Sequence, residues 1–169
     1  FITVDGPQCI KPREGVPFEL VGSYLLPAGT VYRTLFTALK VKPRKRILIE
    51  GAASPSGSWA AKLACAHRMK VTGMVPTKER VAVAERNGIP IISRDDLTTQ
   101  DCFTRVPEDP SEWRRWLHWG ESFLEKIRDK NDGNLMDYVI SHAGEEVFPR
   151  SFQALVSGGI IAFHNATTG

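Results

Sequence analysis

The stretch Ile49-Glu50-Gly51-Ala52-Ala53-Ser54-Pro55-Ser56-Gly57-Ser58 decides how the rest of the chain is read. A short apolar run, residues 46–50, leads into it, and an Ala-rich run, residues 58–69, follows. A strand that turns sharply into a helix accounts for both. Gly51 supplies the tight turn and Gly57 a close approach of helix to strand, so that backbone N–H groups at the helix start face an anionic pyrophosphate. The spacing is G-x-x-S-x-x-G rather than G-x-G-x-x-G. Ser54 holds the middle position, small enough to let a phosphate approach and carrying a hydroxyl that can donate to it. Ala53, Ser56 and Ser58 complete the candidate contacts of the turn. An ordinary β–α turn without a ligand would show the same glycines; the strand–turn–helix context favours the nucleotide.

Downstream the chain keeps alternating. Residues 71–75 read as a second strand and 78–87 as a second helix, closed by Gly88. Residues 89–92 read as a third strand. A long polar stretch, 93–109, then interrupts the rhythm before a helix that starts near Ser111, where Asp109-Pro110-Ser111-Glu112 offers capping groups and carboxylates. That helix runs to Lys130 and the turn Asn131-Asp132-Gly133-Asn134. A strand at 137–141, a helix at 146–156 and a strand at 159–163 follow. Short connections between alternating strands and helices mean a parallel sheet covered on both faces, so the fold class is α/β, doubly wound.

Upstream, turn formers crowd the first forty residues (Asp5-Gly6-Pro7, Lys11-Pro12-Arg13-Glu14-Gly15, Pro27, Gly29). A helix is expected over 30–39, from Val31, Leu35, Phe36 and Leu39, with Pro43 ending it. Residues 1–4 read as a strand in need of a partner, and both ends read as cut from something longer. At 169 residues and 42% hydrophobic content the chain is one domain in size, with material for a real core. A net charge of +3 tolerates an anionic ligand without arguing for nucleic acid. No apolar run has the length of a membrane span. Cys9, Cys65 and Cys102 form no C-x-x-C pair and no metal-ligand spacing with the four histidines, so no metal is expected and a reducing, cytoplasmic setting is the plain reading. Cys65, within the Ala-rich helix, reads as core, and Cys102 as a residue of a polar loop.

The choice of nucleotide is read at the end of the second strand, Met74-Val75-Pro76-Thr77-Lys78-Glu79-Arg80. NAD-binding domains usually place an acid there to hold the ribose hydroxyls. Here a hydroxyl and two cations follow instead, which suits a 2′-phosphate: Thr77 as donor, Lys78 and Arg80 as charges. Cations in the first turn of a helix oppose its dipole, which weighs against their being mere solvated surface. NADPH is the expected cofactor.

Several segments together carry a resemblance to a known family. Val31-Tyr32-Arg33-Thr34-Leu35, residues 47–60, Asp109-Pro110-Ser111-Glu112-Trp113, Tyr138-Val139-Ile140-Ser141-His142-Ala143-Gly144-Glu145-Glu146, and Gly158-Gly159 through Thr167-Thr168-Gly169 resemble crotonyl-CoA carboxylase/reductase and its acryloyl-CoA reductase relatives, within the medium-chain dehydrogenase/reductase superfamily. The reductase part of a propionyl-CoA synthase fits the same pattern. The resemblance implies a Rossmann-type domain over residues 31–169, continuing beyond the C-terminal end, and a GroES-like catalytic domain of which residues 1–30 are the tail and crossover. It implies an acyl-CoA substrate, the remainder of the same subunit as a partner, a homo-oligomer, and no membrane or nucleic acid. It places Thr30 beside the nicotinamide, and His164, Asn165 and Ala166 along the nicotinamide end with Ser141 close by. His142 falls on the histidine that helps to hold CO2 in carboxylating members, and is the candidate catalytic residue. Ser141 and Ala143 stand where those members have Glu and Pro, which points to reduction without carboxylation. The implied activity is NADPH-dependent reduction of a short-chain enoyl-CoA. A quinone or enone reductase of the same superfamily and a non-catalytic nucleotide-binding module are the competing readings, the latter because Pro55 removes a backbone donor.

Trp113, Trp116 and Trp119 recur every third residue, an arc of roughly 120° at about 100° per residue. They read as one packing face, against another domain or subunit, with stacking on the CoA adenine as the sharper reading. Arg114, Arg115 and Lys126 are candidates for CoA phosphates beside a plain solvated face.

Overall fold

A computed structural model gives the architecture and describes residues 3–97, 100–103, 105–142, 144 and 147–164. Five strands form one fully parallel sheet: β1 (Arg46–Glu50), β2 (Lys70–Val75), β3 (Ile91–Ser93), β4 (Met136–Ser141) and β5 (Leu155–Phe163), in the order β3-β2-β1-β4-β5. The expected doubly wound sheet is therefore observed, and it is of the Rossmann type. Helices α1 (Phe18–Tyr32), α2 (Pro55–Ala66), α3 (Val81–Glu85), α4 (Trp113–Trp119), α5 (Glu121–Lys130) and α6 (Phe148–Gln153) connect and cover it.

The period-two alternation of β1 sorts its side chains between two cores. Ile47 and Ile49 join Val31, Leu35, Ala60, Ala61 and Ala64 beneath α1 and α2. Leu48 points the other way, into a core with Met74, Phe123, Ile127, Met136 and Val139 beneath α5. Small residues on one stripe of α2 let the helix lie close to the sheet. The same helical phase turns Cys65 outward, so this thiol is exposed, not core, whereas Cys102 is buried under the second core. Within β2 the one polar interior residue, Thr72, exchanges hydrogen bonds with Asn131 at 3.2 and 3.0 Å, and Asn131 Nδ2 also donates to the Ile127 carbonyl at 2.8 Å. Both buried polar groups are thereby satisfied.

Boundaries shift where tertiary packing overrides local signals. The first helix starts at Phe18, not near Thr30, holds Pro27 inside it, and passes into a π-helical turn at Arg33–Ala38. Thr3 and Val4 lie outside any strand. The second expected helix is a 3-10 turn, Lys78–Arg80, followed by the short α3. The Trp-bearing helix breaks at Gly120 into α4 and α5, after Asp109 has capped its start by accepting from the Ser111 N–H at 2.8 Å. Residues 146–156 shorten to α6, with β5 beginning at Leu155.

The tryptophans share one arc of α4 but differ in burial. Trp116 alone is buried, with the Arg150 guanidinium 3.7 Å from its ring centre. Trp113 donates its indole N–H to the Pro107 carbonyl at 2.9 Å, and Arg115 lies 5.0 Å from the Trp119 ring centre. Arg150 is itself fully buried. It donates to the carbonyls of Cys102 and of Trp116 (2.6 Å) and to Gln153 Oε1 (2.7 Å), and so pins the interrupting segment and α4 onto α6. No helix among the described residues is long and apolar enough to cross a membrane.

Candidate functional site

Strand order reverses between β1 and β4: the chain winds from β1 to β2 and β3 on one side, then returns to β4 and β5 on the other. Connections leaving the carboxyl ends of these two neighbours diverge, and a crevice opens there, the usual ligand position in such sheets. Gly51 follows β1 and His142 follows β4, so both stand at this crevice.

The turn is built as its sequence implies. Gly51 has φ +62, a conformation that a side chain disfavours. A Cβ on Gly57 would lie 2.2 Å from the Gly51 carbonyl oxygen and 2.8 Å from Ala52 Cα, so only glycine allows α2 to start this close to β1. Ser54 caps α2: its backbone is extended and its Oγ accepts the Gly57 N–H at 3.0 Å. The Ser54 N–H goes to the Gly51 carbonyl and the Ser58 N–H to the Ser54 carbonyl, both at 2.8 Å. Pro55 brings no N–H. Among the described residues of the first turn, Ser56 is left with its N–H outside these internal bonds. Ala53 and Ser56 are half-buried at the rim.

The His142 ring packs directly on Gly51; a Cβ there would lie 2.1 Å from His142 Nε2. Ser54 Oγ is 3.4 Å from the same nitrogen. Ser54 Oγ has a proton to give and a second lone pair to accept with, so this contact can form with either tautomer of His142. Nδ1 is buried, with no hydrogen-bond partner among the described residues. His164 stacks on His142 with ring centres 5.7 Å apart and planes 19° from parallel, and its backbone N–H donates to the Ser141 carbonyl at 3.2 Å. Burial lowers the pKa of both rings, and for His142 the neighbouring His164 lowers it further. Two neutral imidazoles thus line the crevice.

At the far end of the sheet, Thr77 and Lys78 follow β2, and the turn after β3, Arg94–Asp96, meets them. The Lys78 N–H donates to Asp95 Oδ2 at 2.9 Å, and Lys78 Nζ pairs with Asp96 Oδ1 at 3.1 Å, both side chains about half exposed or more. The Thr77 hydroxyl bonds to Glu79, holding that carboxyl below its ordinary pKa. Arg80 is exposed. The cations expected to meet a 2′-phosphate are present, then, but acids from the next strand connection share the place. Reading the end of β2 alone misses Asp95 and Asp96; noticing that β3 pairs with β2 would have found them.

Other expected residues lie elsewhere or are spent internally. Thr30 sits in the last turns of α1, its carbonyl accepting from Thr34 Oγ1 at 2.9 Å. Ser58 Oγ donates to Asn87 Oδ1 at 2.8 Å, tying α2 to the end of α3. Ser141 is buried, its hydroxyl donating to Glu50 Oε2 at 2.5 Å. Asn165 and Ala166 lie outside the described residues. Glu50, fully buried beside Gly51, was not foreseen; an acid directly before the glycine was the signal. A hollow of about 650 Å³ between Pro43, Arg44, Ala66, His67 and Arg68 lies at the opposite, amino-terminal edge of the sheet, away from this crevice. No cluster of metal-ligating side chains exists among the described residues.

No protein-family model matches the chain. Among curated proteins it is 29% identical, over its whole length, to a crotonyl-CoA carboxylase/reductase of Cereibacter sphaeroides, of which it covers 40%. A crotonyl-CoA reductase of Streptomyces avermitilis is 28% identical over 98% of the chain and is covered to 36%. Of solved structures, a crotonyl-CoA carboxylase/reductase superposes with TM-score 0.78 at 30% identity, over 86% of this chain and 35% of that one. A 2-octenoyl-CoA carboxylase reductase, solved with NADP and 2-octenoyl-CoA, gives TM-score 0.71 at 25% identity, over 84% and 31%. A quinone oxidoreductase of Pseudomonas syringae, TM-score 0.72 at 23% identity over 95% and 42%, shares the fold. The chain therefore spans well under half the length of these relatives. The resemblance read in the sequence, to the crotonyl-CoA carboxylase/reductase branch of the medium-chain dehydrogenase/reductase superfamily, holds in both comparisons.

Proposed function

We propose that this chain is the NADPH-binding part of a reductase acting on short-chain enoyl-CoA thioesters of the crotonyl or acryloyl type. The observation that supports it most is the similarity to crotonyl-CoA reductases along the whole chain, with a glycine turn at the point where strand order reverses. The residues fit a dinucleotide. Gly51 and Gly57 let β1 turn tightly into α2 at the crevice, and the Ser56 N–H at the start of α2 is placed for a phosphate. Thr77, Lys78 and Arg80 are the residues to hold a 2′-phosphate. When bound, NADPH supplies the hydride that the β-carbon of the enoyl thioester accepts. The task of the chain is alignment, with His142 and His164 as neutral walls of the crevice that exclude water without adding charge. On this reading residues 1–30 are the tail of a GroES-like catalytic domain, and the subunit assembles as a homo-oligomer in the cytoplasm. Reduction without carboxylation is preferred because His142 turns Nε2 toward Ser54 and Gly51, and because its flanking residues depart from the carboxylating pattern.

One observation favours a second reading, a nucleotide-binding module without catalysis. Ser54 consumes the Gly57 N–H and Pro55 offers none, which leaves the turn poor in free donors. Calorimetry with NADPH and NADH on the protein and on its Lys78→Ala/Arg80→Ala variant, followed by an assay of the whole subunit, catalytic domain included, on crotonyl- and acryloyl-CoA, separates the readings. NADPH preference lost in the variant, together with turnover, supports the reductase. Binding without turnover supports the module. Absence of binding by a folded protein overturns both.

A further inference from the structure

Glu50 ends β1 on the side of the sheet that Leu48 also faces, fully buried, one residue before the glycine turn. Three elements pack around its carboxyl. Ser141 of β4 donates to Oε2 at 2.5 Å, and Ser151 of α6 meets Oε1. Arg94, in the turn after β3, acts on it at longer range. His142, the residue after Ser141, sits on the far side of the turn.

The surroundings favour a proton on this carboxyl: it is fully buried and bonded to the neutral hydroxyls of Ser141 and Ser151, and a buried charge not paired with an opposite one tends to neutralise. Ser151 Oγ lies within bonding distance of Glu50 Oε1 and of the Val147 carbonyl, at 3.1 Å from the latter. A hydroxyl has one proton, and a carbonyl can only accept. The Val147 carbonyl already accepts the N–H groups of Arg150 and Ser151, at 3.0 and 3.1 Å, so the Ser151 hydroxyl proton is available to either neighbour. The site accommodates a proton on Oε1: Glu50 donates to Ser151, Ser151 to Val147, and Ser141 to Glu50 Oε2. Burial also raises the pKa of this carboxyl to about 7, against the lowering effect of the two serines and Arg94.

We infer that Glu50 is a neutral carboxylic acid and the positioning residue of the glycine turn, joining the end of β1 through Ser141 to the strand end that carries His142, and through Ser151 to α6. This rests on the dinucleotide reading given above. Its consequence is a coupling: ionised Glu50 sets a negative charge directly behind the turn that receives a pyrophosphate, so proton and dinucleotide favour each other, each raising the affinity for the other by the same factor.

The test compares the protein with its Glu50→Gln and Glu50→Leu variants, by the infrared carboxylic-acid band and by NADPH affinity from pH 6 to 9. Gln keeps both hydrogen bonds without titrating. The expected result is an acid band at pH 6 that Glu50→Gln removes. Wild-type NADPH affinity is expected to fall by about tenfold as pH rises, a common size of coupling between two sites. Glu50→Gln is expected to stay at the low-pH affinity throughout, and Glu50→Leu to bind weakly at every pH. No acid band at pH 6, or an unchanged pH dependence in Glu50→Gln, overturns the inference. An acid band with no NADPH binding by the wild type overturns the dinucleotide reading and the positioning role with it, and leaves the neutral acid standing.

Discussion

The two ends of the candidate nucleotide site are made differently. The glycine turn is determined by space: Gly51, Gly57, Ser54 and His142 sit so close that almost no other residues fit. The Thr77–Arg80 end is determined by charge on an open surface, where Lys78 pairs with Asp96 and Thr77 with Glu79. Steric constraint leaves a mark in the local sequence, because glycine has few substitutes. Surface charge does not, because its partners come from another connection and its energies are small, in the range of about 0–1 kcal/mol for an exposed pair.

The contrast is broken most sharply at Gly51. Gly51→Ala must take a left-handed conformation, at about 1–2 kcal/mol, and must also push against the His142 ring, at about 1–3 kcal/mol. Urea denaturation is expected to show a loss of about 3 kcal/mol. A loss under 1 kcal/mol would mean that His142 moves aside freely and that the turn is not sterically determined.

Next in size is the pH dependence of stability from Glu50. Its folded pKa of about 7 exceeds the ordinary value of 4.5, so the folded state binds the proton more tightly. Its favourable contribution is full below pH 4.5 and is lost as pH rises to 7, amounting to about 3 kcal/mol at about 1.4 kcal/mol per unit. The difference in unfolding free energy between the protein and Glu50→Gln, measured from pH 4.5 to 8, should trace that loss. A constant difference would place the proton elsewhere.

The open end should respond in binding, not in stability. Lys78→Ala/Arg80→Ala is expected to weaken NADPH by about tenfold or more, leave NADH unchanged, and alter unfolding by less than about 0.5 kcal/mol. Equal weakening of both nucleotides would remove these cations from the 2′-phosphate site. The smallest effect is expected from Asp96→Asn, which frees Lys78: NADPH affinity should rise by about twofold to fivefold, a fraction of the worth of one exposed ion pair. A fall would make Asp96 a ligand-orienting residue instead.

Much of the fold was legible because its signals are local. Apolar runs of strand length, Ala-rich and amphipathic helices, and glycines at turns give the order β1-α2-β2-α3-β3 and the parallel sheet. The region around α1 was misread because Pro27 and Gly29 signal a turn, yet the helix passes through both, anchored where Val31 and Leu35 enter the core. Cys65 was misread because helical phase alone does not say which face meets the sheet. In the site, Gly51, Gly57 and Ser54 could be found from spacing. The Glu50–Ser141–Ser151 group could not, since its members lie 91 and 101 residues apart along the chain. Strand register brings Ser141 to Glu50, and the packing of α6 on the sheet brings Ser151.

Arg150 carries a consequence for synthesis. Its side chain holds the Cys102 carbonyl, 48 residues earlier, and the Trp116 carbonyl, 34 residues earlier. A growing chain emerges in the opposite order from the one in which this region can be fastened. The segment from Cys102 to Trp119 waits, these two carbonyls not yet fastened, until α6 is made. Chains released just before Phe148 should therefore be cut by protease within that segment while residues 46–93 resist, and full-length chains should not.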